Sequence, residues 1–598
     1  MNKINFSNIN WCLKKLFDQR KITSIFILFM YIFSSVSVTY IASALPGIIL
    51  KIVSLNINNF YTAASFIVLT FLIFFTVSML SHIFLYFFQL RSFKTRFTMI
   101  PKVSMRVLEI DYEILDSAEG KTAIDKAYEA VYSGRARGVE YELNQFGELS
   151  VNLWNLILFC VLSFYTSVFL TAYVVVMGIL IVLIKHRSTQ WLITYKSEKN
   201  TIQAKEKYLV TEIMSEKSAK DIRLYKLQDW FSTIFENMYK ALTDWNINEQ
   251  KSYMKYDILE LLLFVIRDSV IFIYLYNMLK TDSMQIADAV MYYGIVLRFN
   301  SWLNSISRTY SNLLQNDVII NDLRTFFALP FYKTEGIQND KIDIQKIEFK
   351  NVSYRAKNSG KDIIKNISFI INKGDKIGIV GANGAGKTTV IKLLLGLYKP
   401  TSGEIYINDK NAETFSISER LSMFSVLFQD NALFAFTIAQ NITCKNDNTD
   451  TEVLRLSEVL KRTGLETKIN ALSKKTETVL FNDLEEGINL SGGEKQRLLM
   501  ARVLYHNTDF YILDEPTSAL DAIQEKNMYQ LYNSELSNKT SVFISHRLGS
   551  TAFCSNIFFM KDGQIIKSGT NEELLQACEE YKNMYNVQQS FYTGDEKK

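Results

Sequence analysis

Residues 376–388 read Lys376-Ile-Gly-Ile-Val-Gly381-Ala-Asn383-Gly384-Ala-Gly386-Lys387-Thr388, and Thr389 follows. KIGIV is short and apolar, the pattern of a buried strand, whereas the TTVIKLLLGLY run after the lysine reads as helix. Between them stands G-x-x-x-x-G-K-[ST], a phosphate loop in the strand-to-helix context it needs. Its glycines let backbone N–H groups curl around phosphates at a helix N-terminus. Lys387 supplies a point charge at the β- and γ-phosphates, and the Thr388 hydroxyl can ligate Mg2+. The motif predicts nucleoside triphosphate binding and leaves its purpose open.

Farther on, the apolar run Phe510–Leu513 ends in Asp514-Glu515. Asp514 suits Mg2+ coordination through water, which leaves Glu515 to polarise or deprotonate the attacking water. Alone, such a pair is a common strand end; behind a phosphate loop it points to hydrolysis. Leu490-Ser491-Gly492-Gly493-Glu494-Lys495-Gln496-Arg497 lies just upstream. Taken bare, it could be a helix cap and turn.

LSGGEKQR is, however, the signature of ATP-binding-cassette (ABC) ATPases, and this half of the chain resembles that family. The resemblance makes Tyr354 the aromatic that stacks on adenine and Gln429 a sensor of the γ-phosphate that also joins Thr388 and Asp514 around Mg2+. It makes Ser518–Asp521 the D-loop, His546 the switch histidine, and Glu485-Glu486-Gly487 the acidic segment that exporters carry before the signature. Nucleotide contacts are implied for Tyr354, Gly381, Asn383, Gly384, Gly386, Lys387, Thr388, Thr389, Ser491, Gly492, Gly493 and Asp521. Catalytic roles are implied for Glu515, His546 and Gln429.

The first half has another character. Of the 598 residues, positions 1–320 carry 32 Lys+Arg against 26 Asp+Glu, and the remainder 34 against 35. Residues 22–50, 52–90 and 149–184 contain no Asp, Glu, Lys or Arg, and about 20 apolar residues cross a bilayer. Weaker candidates lie near 256–279 and 285–310. The bases concentrate in residues 1–21, 91–140 and 185–256, which the positive-inside rule places in the cytoplasm. An even number of spans must then separate consecutive basic segments, so 141–184 holds two helices and the count is six. Ala42-Ser43-Ala44 resembles a signal cleavage site, but the apolar run before it is too long for a signal core. The two long basic segments lack the marks of floppy loops and read as helices continuing out of the membrane, with reversals at Asp116–Gly120 and near Arg223–Asp229.

Glu260, Arg267, Asp268, Arg298 and Arg308 fall within the weaker spans, where ionisable groups are costly. They line a polar, substrate-accessible cavity, pair structurally, or lie where the helices are wet. The five cysteines are scattered with no C-x-x-C pair, the four histidines form no metal cluster, and a net charge of +5 makes no case for nucleic acid as a partner.

Six spans followed by one cassette resemble the half-transporters of the type IV ABC exporter fold. The expected class is therefore a membrane all-α region, with six transmembrane helices extended into the cytoplasm, followed by an α/β P-loop ABC ATPase domain. The expected boundaries are a cytoplasmic segment 1–21, a transmembrane domain 22–315, a linker 316–345 and a cassette 346–598. The resemblance implies two cassettes sandwiching two ATP molecules with Mg2+, so Ser491 and Gly493 would serve the nucleotide held by the partner's phosphate loop. Intact motifs make a homodimer viable and leave a heterodimer with a second half-transporter open. Residues 111–120 and 221–230 are expected to be coupling helices. The first span begins about ten residues after Cys12, which leaves no room ahead of it for the Cys/His peptidase of leader-cleaving peptide exporters. The expected function is ATP-driven export of a small molecule, peptide or lipid across a cell membrane, with both the N-terminus and the ATPase domain cytoplasmic. An importer of the siderophore type and an ATP-gated channel or sensor are the alternatives. The Lys-, Asn- and Ile-rich usage and the plain layout suggest a bacterium.

Overall fold

The computed structural model describes residues 6–18, 20–55, 60–331, 342–356, 360–446, 449–481, 487–517, 522–547 and 553–593. Asp521, with the rest of the expected D-loop, and Glu485-Glu486 lie outside the described residues. The chain divides into two compact units, residues 1–106 with 122–329, and residues 107–121 with 330–598.

The first unit is helical. Helix α1 (Phe6–Phe17) buries Asn8, Ile9, Cys12 and Leu16, one face at helical spacing. Long helices follow: α2 (Lys21–Leu55), α3 (Phe60–Glu109), α6 (Val139–Thr166), α7 (Val168–Ile213), α9 (Gln228–Lys280) and α10 (Ile286–Ala328). Short α4 (Tyr112–Asp116), the first turns of α5 (Ala118–Tyr132) and short α8 (Glu216–Leu224) occupy the two reversals expected from sequence. The charge-free run 149–184 breaks at Ser167, whose side chain caps α7 by accepting from the Leu170 N–H at 3.3 Å. Among the described residues α2, α3 and Val139–Phe164 are long and apolar enough to cross a membrane, and Val168–Ile184 is a shorter apolar helix. Most of the apolar side chains on α2 and α3 point outward, as a lipid-facing surface requires.

Close packing between α2 and α10 depends on a missing side chain. A Cβ on Gly294 would lie 2.4 Å from the Ser43 carbonyl oxygen. Polar bonds tie α10 to α6: Asn316 accepts from the Gly138 N–H at 2.7 Å and donates to Glu142 at 2.6 Å, and Ser305 donates to Glu148 at 2.8 Å. Helix α10 runs on to Ala328, thirteen residues into the segment expected to be a linker.

The second unit is α/β. Strands β1 (Lys346–Arg355), β2 (Asp362–Asn372), β4 (Ser402–Ile407) and β5 (Lys410–Asn411) make an antiparallel sheet in the order β2-β1-β4-β5. Strands β3 (Lys376–Gly381), β6 (Phe424–Leu427), β7 (Phe510–Asp514), β8 (Thr540–Ser545), β9 (Asn556–Lys561) and β10 (Gln564–Gly569) make the second, ordered β10-β9-β3-β8-β7-β6. All pairings in that sheet except β10–β9 are parallel. Parallel strands buried on both faces must be apolar throughout, as VFIS, YIL and GIV are. Four helices matter for the site: α11 (Lys387–Leu394), α12 (Gly492–His506), α13 (Ala522–Glu535) and α14 (Glu579–Thr593). Residues 107–121, expected to belong with the membrane helices, cluster with this unit: Ile110 bridges Phe331, and Asp116 is bonded to Lys392 and Tyr398.

Candidate nucleotide site

The site forms where parallel strands end together. Strand β3 stops at Gly381, the loop 382–386 follows, and α11 begins at Lys387 with unsatisfied N–H groups in its first turn. Gly386 caps this helix at φ +98°, in the left-handed region that favours glycine. Asn383 and Gly384 are exposed at the loop tip, and Thr389 is half-buried beside Thr388. The Lys387 ammonium is nearly buried and donates to the carbonyl oxygens of Gly381 (2.9 Å) and Ala382 (3.1 Å). Burial lowers its pKa, against the opposing pull of the Glu515 and Asp514 carboxylates.

Thr388 Oγ1 donates to Asp514 Oδ2 at 2.9 Å. Asp514 is 1% exposed, and its Oδ1 has no hydrogen-bond partner. Burial pushes its carboxyl up to about 6 in spite of the Thr388 bond and the Lys387 charge. A buried carboxylate oxygen without a partner beside a threonine hydroxyl fits a hard cation that prefers oxygen ligands. The residues present, Thr388 and Asp514, therefore fit Mg2+.

Glu515, the next residue, adopts φ +47° while its N–H donates to the Ile544 carbonyl at 3.0 Å. That turn carries its carboxylate out of the strand direction. Gln429, just past β6, donates to Glu515 Oε2 at 3.0 Å, and His546 Nδ1, just past β8, lies 3.1 Å from Oε1. Three sequence-predicted residues from three strand ends thus meet on one carboxylate. The His546 backbone oxygen in turn accepts from Gln588 Nε2 of α14 at 2.6 Å. No sequence motif marked Gln588, since its role follows only from where α14 packs. Tyr581 is fully buried in the cluster with Val380, Ile557 and Phe559 beneath the phosphate loop.

Ser491 and Gly492 stand apart, exposed at the start of α12, and Gly493 is buried. Ser491 and Glu494 form a reciprocal capping box, with Glu494 bonded to the Ser491 N–H at 2.9 Å and paired with Lys468. The Lys468 bond, followed by the Ser491 N–H, holds the Glu494 carboxyl below its usual range. No hydrogen bond among the described residues links this motif to Lys387 or Thr388.

Tyr354 packs in the core of this unit. It is 3% exposed near the end of β1, with its ring stacked on Tyr398 (centroids 4.8 Å) and its hydroxyl donating to Glu113 at 3.2 Å. Strand alternation turns position 354 inward with Val352, so the ring offers no open face for adenine. In the helical unit, Arg308 pairs with Glu148 at 3.1 Å, Arg298 is exposed, Glu260 accepts from Asn304, and Arg267 bonds Asp268.

A phosphate loop, a paired carboxylate and a signature helix on an α/β domain, behind long apolar helices, define a membrane-associated nucleotide-binding ATPase-type protein. Residues 364–518 match the ABC transporter family. The chain is 31% identical over 370 residues to the subtilin transport ATP-binding protein SpaT of Bacillus subtilis, covering 61% of this chain and 60% of that protein. It is 30% identical over 394 residues to the nisin transport ATP-binding protein NisT of Lactococcus lactis subsp. lactis, covering 64% of each. The chain thus spans less than two thirds of the length of these relatives. A bacterial Atm1-family ABC exporter with ATP bound shares the fold at a TM-score of 0.75 and 18% identity, over 96% of this chain and all of that one. Residues 364–518 thus carry an ABC transporter domain, and the chain as a whole shares the exporter fold, a helical region with long apolar helices followed by an α/β domain.

Proposed function

We propose that this chain is one half of an ATP-driven exporter. The observation that carries the reading is the Glu515 carboxylate, bonded to Gln429 and 3.1 Å from His546, in the residue that follows Asp514 of the Thr388–Asp514 pair. A binding module without turnover has no need of a carboxylate so placed. In this reading Lys387 and the first-turn N–H groups of α11 hold the β- and γ-phosphates, while Asn383, Gly384 and Thr389 line them. Thr388, Asp514 and Gln429 would hold Mg2+, which when bound offsets phosphate charge. Glu515 takes the proton of the attacking water. At rest its Oε2 accepts from Gln429, while Oε1 has His546 Nδ1 3.1 Å away without a hydrogen bond. A γ-phosphate that draws His546 toward itself would clear the space beside Oε1.

Ser491, Gly492 and Gly493 are exposed or begin a helix away from Lys387, which favours their serving the nucleotide of a second chain, together with Asp521. A homodimer satisfies this, and so does a heterodimer with another half-transporter. The cargo is a small molecule, peptide or lipid, and subtilin and nisin are what the two relatives are named for. We place the protein in a bacterial cell membrane with its N-terminus and ATPase domain in the cytoplasm. Residues 111–120 and 221–230 act as coupling helices, the latter on the partner's cassette.

Glu515→Gln keeps the shape and removes the base. It should lower steady-state ATP hydrolysis about 10²- to 10⁴-fold while ATP binding persists, and it should abolish ATP-dependent accumulation in inside-out vesicles. Normal hydrolysis by the variant would refute the role of Glu515. Ion conductance without accumulation would favour a channel, and ATP-dependent loss of preloaded cargo an importer.

A further inference from the structure

Helices α9 and α10 are antiparallel neighbours, as two contacts far apart along them show. Asn304 Nδ2 donates to Glu260 at 3.0 Å, and Phe272 packs on Tyr293 with centroids at 4.5 Å. Asn304 therefore faces α9, and Asn300, one turn away, shares that face. On α9, Arg267 is two turns from Glu260 and shares its face. The result is a polar seam within the part of α9 that the sequence places in the bilayer.

This seam is incompletely bonded. Arg267 is 2% exposed; its Nε donates to Asp268 Oδ1 at 2.7 Å, Nη2 to the same oxygen at 2.5 Å, and its guanidinium lies 5.2 Å from the Phe264 ring centre. Its Nη1 is buried without a partner. So is the hydroxyl of Tyr173 on α7, whose ring packs against the buried cluster that includes Ile271 of α9 and Val296 of α10. The Oδ1 atoms of Asn300 and Asn304 are likewise buried without a donor. Two spare donors and two spare acceptors thus remain in a buried environment, where each unmet group is costly.

What satisfies them must both donate and accept. Arg267 is already paired with Asp268, so the seam offers no free positive charge to attract an anion, and a hydrocarbon chain has nothing to match its polar atoms. An amide does, because its C=O accepts and its N–H donates. Asn300 and Asn304 are one turn apart, about 6 Å along the axis, close to the roughly 6.8 Å between alternate residues of an extended chain.

We propose that this seam is a binding subsite for the amide groups of an extended peptide, with Asn300 and Asn304 accepting its N–H groups and Arg267 and Tyr173 donating to its carbonyls. The proposal rests on the exporter reading and makes its cargo peptide in character. The test is equilibrium binding, independent of ATP, to the full chain in lipid nanodiscs. The probe is a tritiated, acetylated and amidated hexapeptide of alternating leucine and alanine, compared with the same peptide N-methylated at alternate amides. Removing N–H donors should weaken binding about 5- to 10-fold per bond lost. Asn300→Leu should weaken the parent peptide by the share of one bond and reduce the N-methylation penalty by that same factor, leaving the Asn304 share, since one of the two accepting partners is gone. Equal binding of both peptides to the unmodified protein would overturn the proposal, as would an undiminished N-methylation penalty in Asn300→Leu, or no binding by a preparation that hydrolyses ATP. Binding with this pattern but no ATP turnover would support the subsite and instead refute the exporter reading.

Discussion

Asp116→Asn tests the contact between the 107–121 segment and the phosphate-loop helix. Asp116 Oδ2 accepts from Lys392 Nζ at 2.9 Å and from the Tyr398 hydroxyl at 2.7 Å. Lys392 lies on α11, five residues after the phosphate-loop lysine, and its ammonium also lies 5.1 Å from the Tyr112 ring centre. A neutral amide keeps an accepting oxygen but loses the charge on both bonds. Charged hydrogen bonds contribute about 1 kcal/mol more than neutral ones, so two would lose about 2 kcal/mol. The side chains are 37% (Asp116) and 18% (Lys392) exposed, and solvent screening reduces the loss to about 1–1.5 kcal/mol. For a domain of this size that lowers the melting temperature by about 2–5 °C. The Lys392 and Tyr398 bonds hold the Asp116 carboxyl below its usual range. A depressed carboxylate stabilises fully above its unfolded-chain pKa of about 3.9 and loses that contribution as pH falls through the lower folded value. Thermal unfolding of the full chain should therefore show a constant gap between variant and parent from pH 7.5 to about 5, narrowing only in stronger acid. A variant melting with the parent at pH 7.5, or a gap closing between pH 8 and 6, would refute this account. If the segment couples the units, transport should also fall more than basal ATP hydrolysis.

Three further outcomes follow from the site. Thr388→Val removes the donor to Asp514 and should cut the Mg2+-dependent gain in ATP affinity about tenfold or more, read by titration with and without EDTA; an unchanged gain would separate Thr388 from the metal. Gln588→Ala frees the His546 carbonyl, and we expect kcat to fall about two- to fivefold with KM for ATP unchanged, so a pure KM effect would count against positioning of His546. Tyr354→Leu breaks the stack on Tyr398 and opens the core, costing about 2–3 kcal/mol with KM for ATP changing less than twofold. A large KM rise at unchanged stability would restore Tyr354 to an adenine platform.

Local pattern determined much of this protein. The phosphate loop, the Asp514-Glu515 strand end and the signature are short contiguous strings whose residue types suit their chemistry wherever they occur. The long apolar runs and the bias of Lys and Arg between them likewise depend only on chain composition, which is why even the break inside 149–184 was legible. Tertiary structure decided what depends on side-chain direction and distant partners. Resemblance offers the Tyr354 ring to adenine, and only the fold shows it stacked on Tyr398. Residues 107–121 read as part of the membrane half until Asp116 meets Lys392, 276 positions away. Gln588 carries no motif, and its contact with His546 exists because Tyr581 anchors α14 beneath the phosphate loop. Arg267 is conspicuous by its charge alone, but its missing bonding partners, shared with Asn300 and Asn304, appear only once α9 and α10 lie antiparallel.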